Sequence, residues 1–162
     1  MYNEDEMEQQ EEIEFPWLVF KIKDNLYTVN SKSITSIVML SENITKIPNV
    51  PDYMMGLIHL RGNVIPLVDL RLLFNMKSFK EEYVDYELSK NYKEMVIVFE
   101  EDNSFMGILV DEVLSVENIT LFEETEEIKK MCKEGYVKGV AKGHKNSDVL
   151  LILDEEKIMS IA

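Results

Sequence analysis

From Pro16 onward the chain alternates short apolar runs with turn-forming residues, at a spacing that predicts strands. WLVFKIK (17–23) ends at Asp24-Asn25 and LYTV follows, which reads as a hairpin. ITSIVML (34–40) is rich in β-branched residues and reads as a third strand. LIHL (57–60) and NVIPLVDL (63–70) flank Arg61-Gly62, where glycine can take the positive φ of a tight turn. Pro66 cannot donate to a ladder, so its strand is expected at an edge or with a bulge.

The second half repeats this order. MVIVFEE (95–101) ends at Asp102-Asn103, SFMGILV follows, and DEVLSV leads to Glu117-Asn118-Ile119-Thr120, identical to Glu42-Asn43-Ile44-Thr45. Gly139 opens a second strand–turn–strand ending in Asp154, the counterpart of the run from Gly56 to Asp69. Val19-Phe20 matches Val98-Phe99, and Asp24-Asn25 matches Asp102-Asn103. Shared turn chemistry between two antiparallel sheets would give part of the same pattern, and the fold reading does not depend on duplication. Each half offers about five short strands, the number for a small barrel. The expected organisation is an acidic leader over 1–15 and one domain over 16–162. Its approximate lobes are 16–74 and 95–160, joined by the charged, mixed segment 75–94. Helices are few: DLRLLF (69–74) and DEEKIMSI (154–161) each open with an Asp suited to an N-cap, and Thr125 precedes EEIKKMCK.

Composition narrows the class. With 46% hydrophobic residues in 162 the chain can bury a core. The net charge of -14 argues against nucleic acid, whose phosphates need clustered Lys and Arg. Residues 1–14 hold seven acids and no base, whereas the remainder has 24 acids against 17 bases. The leader therefore reads as a solvated segment rather than an interaction arm. One cysteine, Cys132, excludes an intramolecular disulfide and suits a reducing compartment. No signal-peptide pattern and no run approaching ~18 apolar residues is present, so a cytoplasmic protein is expected, with no membrane insertion.

Catalytic chemistry finds little support. His59 and His144 are the only imidazoles, neither beside a nucleophile elbow, and no Walker A or Gly-x-Gly-x-x-Gly loop occurs. His and Cys are too few for a zinc site. Asp69, Asp111 and Asp154 stand at or near strand ends and could divide acid and base roles, but Asp69 and Asp154 are better explained as helix N-caps. No enzyme activity, cofactor or metal is expected.

Ile47-Pro48-x-x-Pro51 followed by DYMMGLIHLRGNVIPLVDLRLLF (52–74) resembles the signature of the bacterial chemotaxis coupling protein family, CheW. Gly56, Leu60, Arg61, Gly62, Pro66, Asp69, Leu70 and Arg71 match its Gly-x-x-Asn-Leu-Arg-Gly-x-x-x-Pro-x-x-Asp-Leu-Arg pattern. MGILVDEVLSVENI (106–119) resembles a second family segment through Gly107, Val110, Asp111, Val113 and Val116, and residues 136–159 resemble its close. The resemblance covers roughly residues 17–160. It implies a mainly β fold of two five-stranded SH3-like β-barrels with a few short helices. It also implies a stand-alone adaptor that bridges the cytoplasmic tips of methyl-accepting chemoreceptors to the regulatory domain of the histidine kinase CheA.

In that family the receptor packs into a groove between the barrels. The matching positions here are Ile34, Ile37, Gly56, Arg61 and Gly62 from the first half, with Gly107 and Val110 from the second. Barrel core accounts equally for Ile34 and Ile37, and turn geometry accounts for Gly56 and Gly62. Two positions depart from the family: His59 replaces its Asn, and Ser36 replaces the Glu expected to pair with the arginine at position 61. Arg61 is then left to another acid or to a partner. A CheW-like scaffold serving another two-component or type IV pilus pathway fits the same residues, and an aspartate-based enzyme is the reading from a different class.

Overall fold

The computed structural model describes residues 15–40, 43–76, 94–121, 125–132, 135–143 and 148–161. The expected leader up to residue 14 and most of the 75–94 segment lie outside the described residues, as does His144. Eleven strands are present among the described residues: β1 (Trp17–Ile22), β2 (Asn25–Asn30), β3 (Ile34–Met39), β4 (Met54–Leu60), β5 (Asn63–Asp69), β6 (Met95–Glu101), β7 (Ser104–Val110), β8 (Glu112–Glu117), β9 (Ile119–Leu121), β10 (Val137–Gly143) and β11 (Val149–Leu153). Three short helices accompany them: α1 (Leu70–Leu73), α2 (Glu126–Cys132) and α3 (Glu155–Met159). The protein is mainly β, and all three expected helices are found.

The turns explain where the strands stop. Arg61 and Gly62 have φ of 51° and 83°, so both central residues of the β4–β5 turn are left-handed, as a two-residue hairpin demands. Lys23 takes φ of 54° between β1 and β2, and Asp102 and Asn103 take 49° and 64° between β6 and β7. The equivalent turns are thus Lys23-Asp24 and Asp102-Asn103; Asn25 already belongs to β2, which corrects the sequence match of the two Asp-Asn pairs by one position. Asp69 caps α1 through the Arg71 amide at 2.9 Å, and Asp154 caps α3 through the Lys157 amide at 3.1 Å.

The strands form two sheets, ordered β8-β1-β2-β11-β10-β9 and β3-β6-β7-β5-β4. All pairs are antiparallel except β2 with β11 and β5 with β7. β8 and β9 are separated only by Asn118 yet lie at opposite ends of the first sheet, so one bent strand closes it into a barrel. In the second sheet the chain after β3 returns to β4 as a single bridge. There Thr45 and Leu57 exchange hydrogen bonds of 2.9 and 2.8 Å. Asn43–Thr45 and Asn118–Thr120, the described parts that the two tetrapeptides share, therefore lie where the two barrels close.

The lobes are not the contiguous segments 16–74 and 95–160. The β1–β2 hairpin pairs with β8 and β11 from the second half, and β6–β7 pairs with β3 and β5 from the first. Each half donates its opening hairpin to the other half's sheet. The repeat itself persists in geometry: register shifts fall at Met54/Gly56 and at Val137/Gly139, and the Asp69 and Asp154 amides donate to Tyr53 and Tyr136 at 2.8 and 2.7 Å.

Pro66 is in an inner strand, flanked by β4 and β7, rather than at an edge. Its partner Leu57 spends its own amide and carbonyl on Thr45, so the Leu57–Pro66 pair exchanges no ladder bonds. The missing N–H then faces the β7 side, where pairing begins only at Leu67. A bulge in β4 lies nearby, between Met54 and Gly56.

Burial alternates along each inner strand between two cores. Leu18, Phe20 and Ile22 of β1 join Ile97 and Phe99 of β6 and Met106, Ile108 and Val110 of β7 in one large cluster shared by both sheets. The opposite faces fill the individual barrels: Val96, Val98 and Leu109 in one, Val19, Leu150 and Ile152 in the other. Apolar cover on both faces is why these strands read as continuous hydrophobic runs. An aromatic column threads the seam, with Phe20–Tyr27, Tyr27–Phe74 and Phe74–Tyr136 centroids 5.8, 5.6 and 5.9 Å apart.

Candidate interaction surface

The seam between the lobes, expected as the working groove, is occupied by the largest hydrophobic cluster. Of the seven residues proposed from sequence, the structure leaves three on the surface. Arg61 and Gly62 form the exposed tip of the β4–β5 turn, and Ile37 faces solvent from β3 with 39% exposure. Ile34 is half-buried and packs against the shared core. Gly56, Gly107 and Val110 are buried.

Those buried positions have structural causes. Gly56 has φ of 138°, and a Cβ there would run into the Thr45 carbonyl oxygen at the barrel-closing bridge. A Cβ on Gly107 would lie 2.9 Å from Val96 Cγ1 and 3.3 Å from Leu67 Cδ1. Val110 is 1% exposed and belongs to the shared core. None of the three presents a side chain to a partner.

Arg61 lines a groove of about 290 Å³ at the mouth of the five-stranded barrel, with Thr35, Ser36, Asn63, Glu100 and Phe105. Leu60, Ile65, Val98 and Phe105 give the groove its apolar lining, and the other residues bring hydroxyl, amide and charged groups. Among the described residues Arg61 makes no ion pair or hydrogen bond, and Glu100 lines the same groove without pairing with it. The guanidinium thus remains available for a carboxylate, the acceptor its planar fork fits.

Other apolar residues are exposed on the outer strands. Met39 follows Ile37 on the outward face of β3 at 58% exposure. On β8, the equivalent edge strand of the other lobe, Leu114 and Val116 are 43% and 49% exposed. Each of these strands pairs along one side with an exchanged hairpin. Sequence reading missed Met39, Leu114 and Val116; the signal was apolar residues at both parities of the short strands ITSIVM and EVLSVE.

The carboxylates considered for catalysis have structural partners. Asp111 forms a buried ion pair with Arg71, accepts the Lys23 amide at 2.6 Å, and donates its own amide to the Lys21 carbonyl at 3.1 Å. Burial pushes the Asp69 carboxyl above the usual carboxylate range, partly offset by the Arg71 and Leu72 amides it receives. Cys132 is half-buried near the end of α2, and His59 is exposed on β4. Among the described residues no three His, Cys, Asp or Glu side chains converge as metal ligands, and no helix is long and apolar enough to cross a membrane.

Comparison with known proteins places this architecture. The model of the CheW-like domain family matches residues 16–162. The chain is 29% identical over 148 residues to the chemotaxis protein CheW of Thermotoga maritima, covering 90% of this chain and 88% of that protein. It is 27% identical over 146 residues to the chemotaxis protein CheW of Klebsiella aerogenes, covering 89% and 81%. The crystal structure of the scaffolding protein TtCheW from Thermoanaerobacter tengcongensis shares the fold, with a TM-score of 0.64, 24% identity and 87% and 89% coverage. The chain, with its two interleaved barrels, belongs to the CheW-like domain family.

Proposed function

We propose that this protein is a non-catalytic chemotaxis adaptor, coupling the cytoplasmic tips of chemoreceptors to the regulatory domain of the histidine kinase CheA. It works in the cytoplasm and reaches receptor arrays through its partners. The observation that carries the reading is the family match over 16–162, almost the whole described body. Exposed side chains support it: Ile37 and Met39 offer apolar area on β3, and Arg61 offers a directional charge in the groove that Thr35 and Ser36 of the same strand help to line. Burying a few aliphatic side chains at about 25 cal/mol per Å² gives modest affinity once lost freedom is deducted. Weak individual contacts suit an array that gains strength from multivalency.

The test is co-purification of the full chain with a receptor cytoplasmic fragment and with a CheA regulatory domain, followed by kinase activity in the three-component mixture. Retention of both and stimulated phosphorylation are expected; retention of neither would remove the coupling role. Arg61→Ala is expected to weaken binding of one partner about tenfold or more, the scale of a charge-assisted hydrogen bond. Binding of both partners by Arg61→Ala as tightly as by the parent chain would show that the Arg61 groove is not used.

A further inference from the structure

Two short crossings carry the chain from one lobe to the other. Ser31–Ser33 leads from β2 to β3, and Asp111 alone separates β7 from β8. The second crossing is tied down. The Arg71 and Asp111 side chains are 6% and 10% exposed and directly paired. The same carboxylate takes the Lys23 amide, and the Asp111 amide reaches Lys21. One residue thus joins α1 of the five-stranded lobe, the β1–β2 hairpin of the six-stranded lobe and the crossing between them.

The first crossing has a different chemistry. Aligning Phe20 with Phe99 sets Lys32 opposite Asp111, and aligning the capping aspartates sets Glu156 opposite Arg71. The charges are reversed in sign. Lys32 and Glu156 are both exposed, and among the described residues no ion pair joins them. A buried pair adds little net stability but discriminates between arrangements, because any other one strands a charge. Only one of the two crossings is held this way.

We propose that Arg71–Asp111 is a positioning clamp that fixes the angle at which the lobes meet, while Ser31–Ser33 acts as a passive strap. Its functional consequence rests on the adaptor reading: a protein that holds two partners together needs a fixed angle between its lobes, whereas binding either partner alone does not.

Nitroxide labels at Val64 and Val149 test the clamp directly. These residues are 59% and 57% exposed, one on each lobe, and Cys132→Ser would remove the native thiol. Pulsed electron–electron resonance should give a narrow distance distribution in the otherwise unaltered chain and a broader one in Asp111→Asn. Arg71→Met/Asp111→Asn removes both charges together and supplies the second variant if the first does not fold. Lys32→Gln should leave the distribution narrow. Distributions as narrow as the parent in the clamp variants, or equal broadening in Lys32→Gln, would overturn the proposal. In the partner assay, Asp111→Asn should keep each separate affinity within about twofold and lower kinase stimulation about tenfold. A parallel fall in separate affinities would mark a merely structural role. Failure of the parent chain to bind either partner removes the adaptor reading, while the distance measurement still judges the clamp.

Discussion

At Gly56 a side chain has nowhere to go: φ is 138° and the Thr45 carbonyl oxygen occupies the space of a Cβ. Gly62 also has positive φ, but nothing lies within reach of its Cβ. Gly56→Ala is therefore expected to cost about 1–3 kcal/mol more than Gly62→Ala, through backbone strain plus collision. Urea midpoints at constant m-value would check this, and equal costs would refute the close-approach account. Gly62 was legible in sequence as a turn residue, whereas Gly56, also expected at a turn, lies within β4 beside its bulge. Gly107 and Val110 were not legible as core, because a strand covered on both faces has no solvent parity to reveal its orientation. The Arg71–Asp111 pair was hidden differently. The two residues are 40 positions apart, on elements whose adjacency depends on the exchange of hairpins.

Individual elements were read more accurately than their neighbours. The N-caps at Asp69 and Asp154 follow local chemistry, and both helices began where the aspartates placed them. Pro66 misled, because its placement depends on which side of β5 lacks a hydrogen bond, a property of the partner strand rather than of β5. α3 carries a pH-dependent burden. Burial pushes the Glu155 carboxyl above its ordinary value, partly offset by Lys138, whose Nζ lies 3.8 Å away. The folded protein then holds this proton more tightly than the unfolded chain. Stability from this group is complete below the unfolded value and is lost as pH rises through the folded one. Glu155→Gln escapes that loss, so its melting temperature should exceed that of the parent at about pH 8, with the gap closing near about pH 4. A gap that widened on acidification would contradict the direction of the shift. Asp69 shifts the same way and adds to the same trend.

For the molecule as a whole, two similar halves were visible in sequence, and their mutual dependence was not. Repeats report which segments are alike, while strand pairing decides which segments meet. Neither half holds a complete sheet, since β1–β2 needs β8 and β11, and β6–β7 needs β3 and β5. A chain cut between residues 76 and 94 should give two fragments that are each unfolded alone and that reconstitute the β circular-dichroism signal when mixed. Independent folding of residues 1–76 would show that the exchange is dispensable.

The same exchange sets a schedule for biosynthesis. Tyr27 pairs with Leu151, about 120 residues further along the chain. At roughly 5–20 residues per second a ribosome needs about 6–25 s to deliver that partner. The opening hairpin has no partner strand until β8 emerges, about 90 residues after it, and its β2 edge stays open until β11 follows, so the nascent chain passes through a vulnerable window whose length is fixed by topology and translation speed.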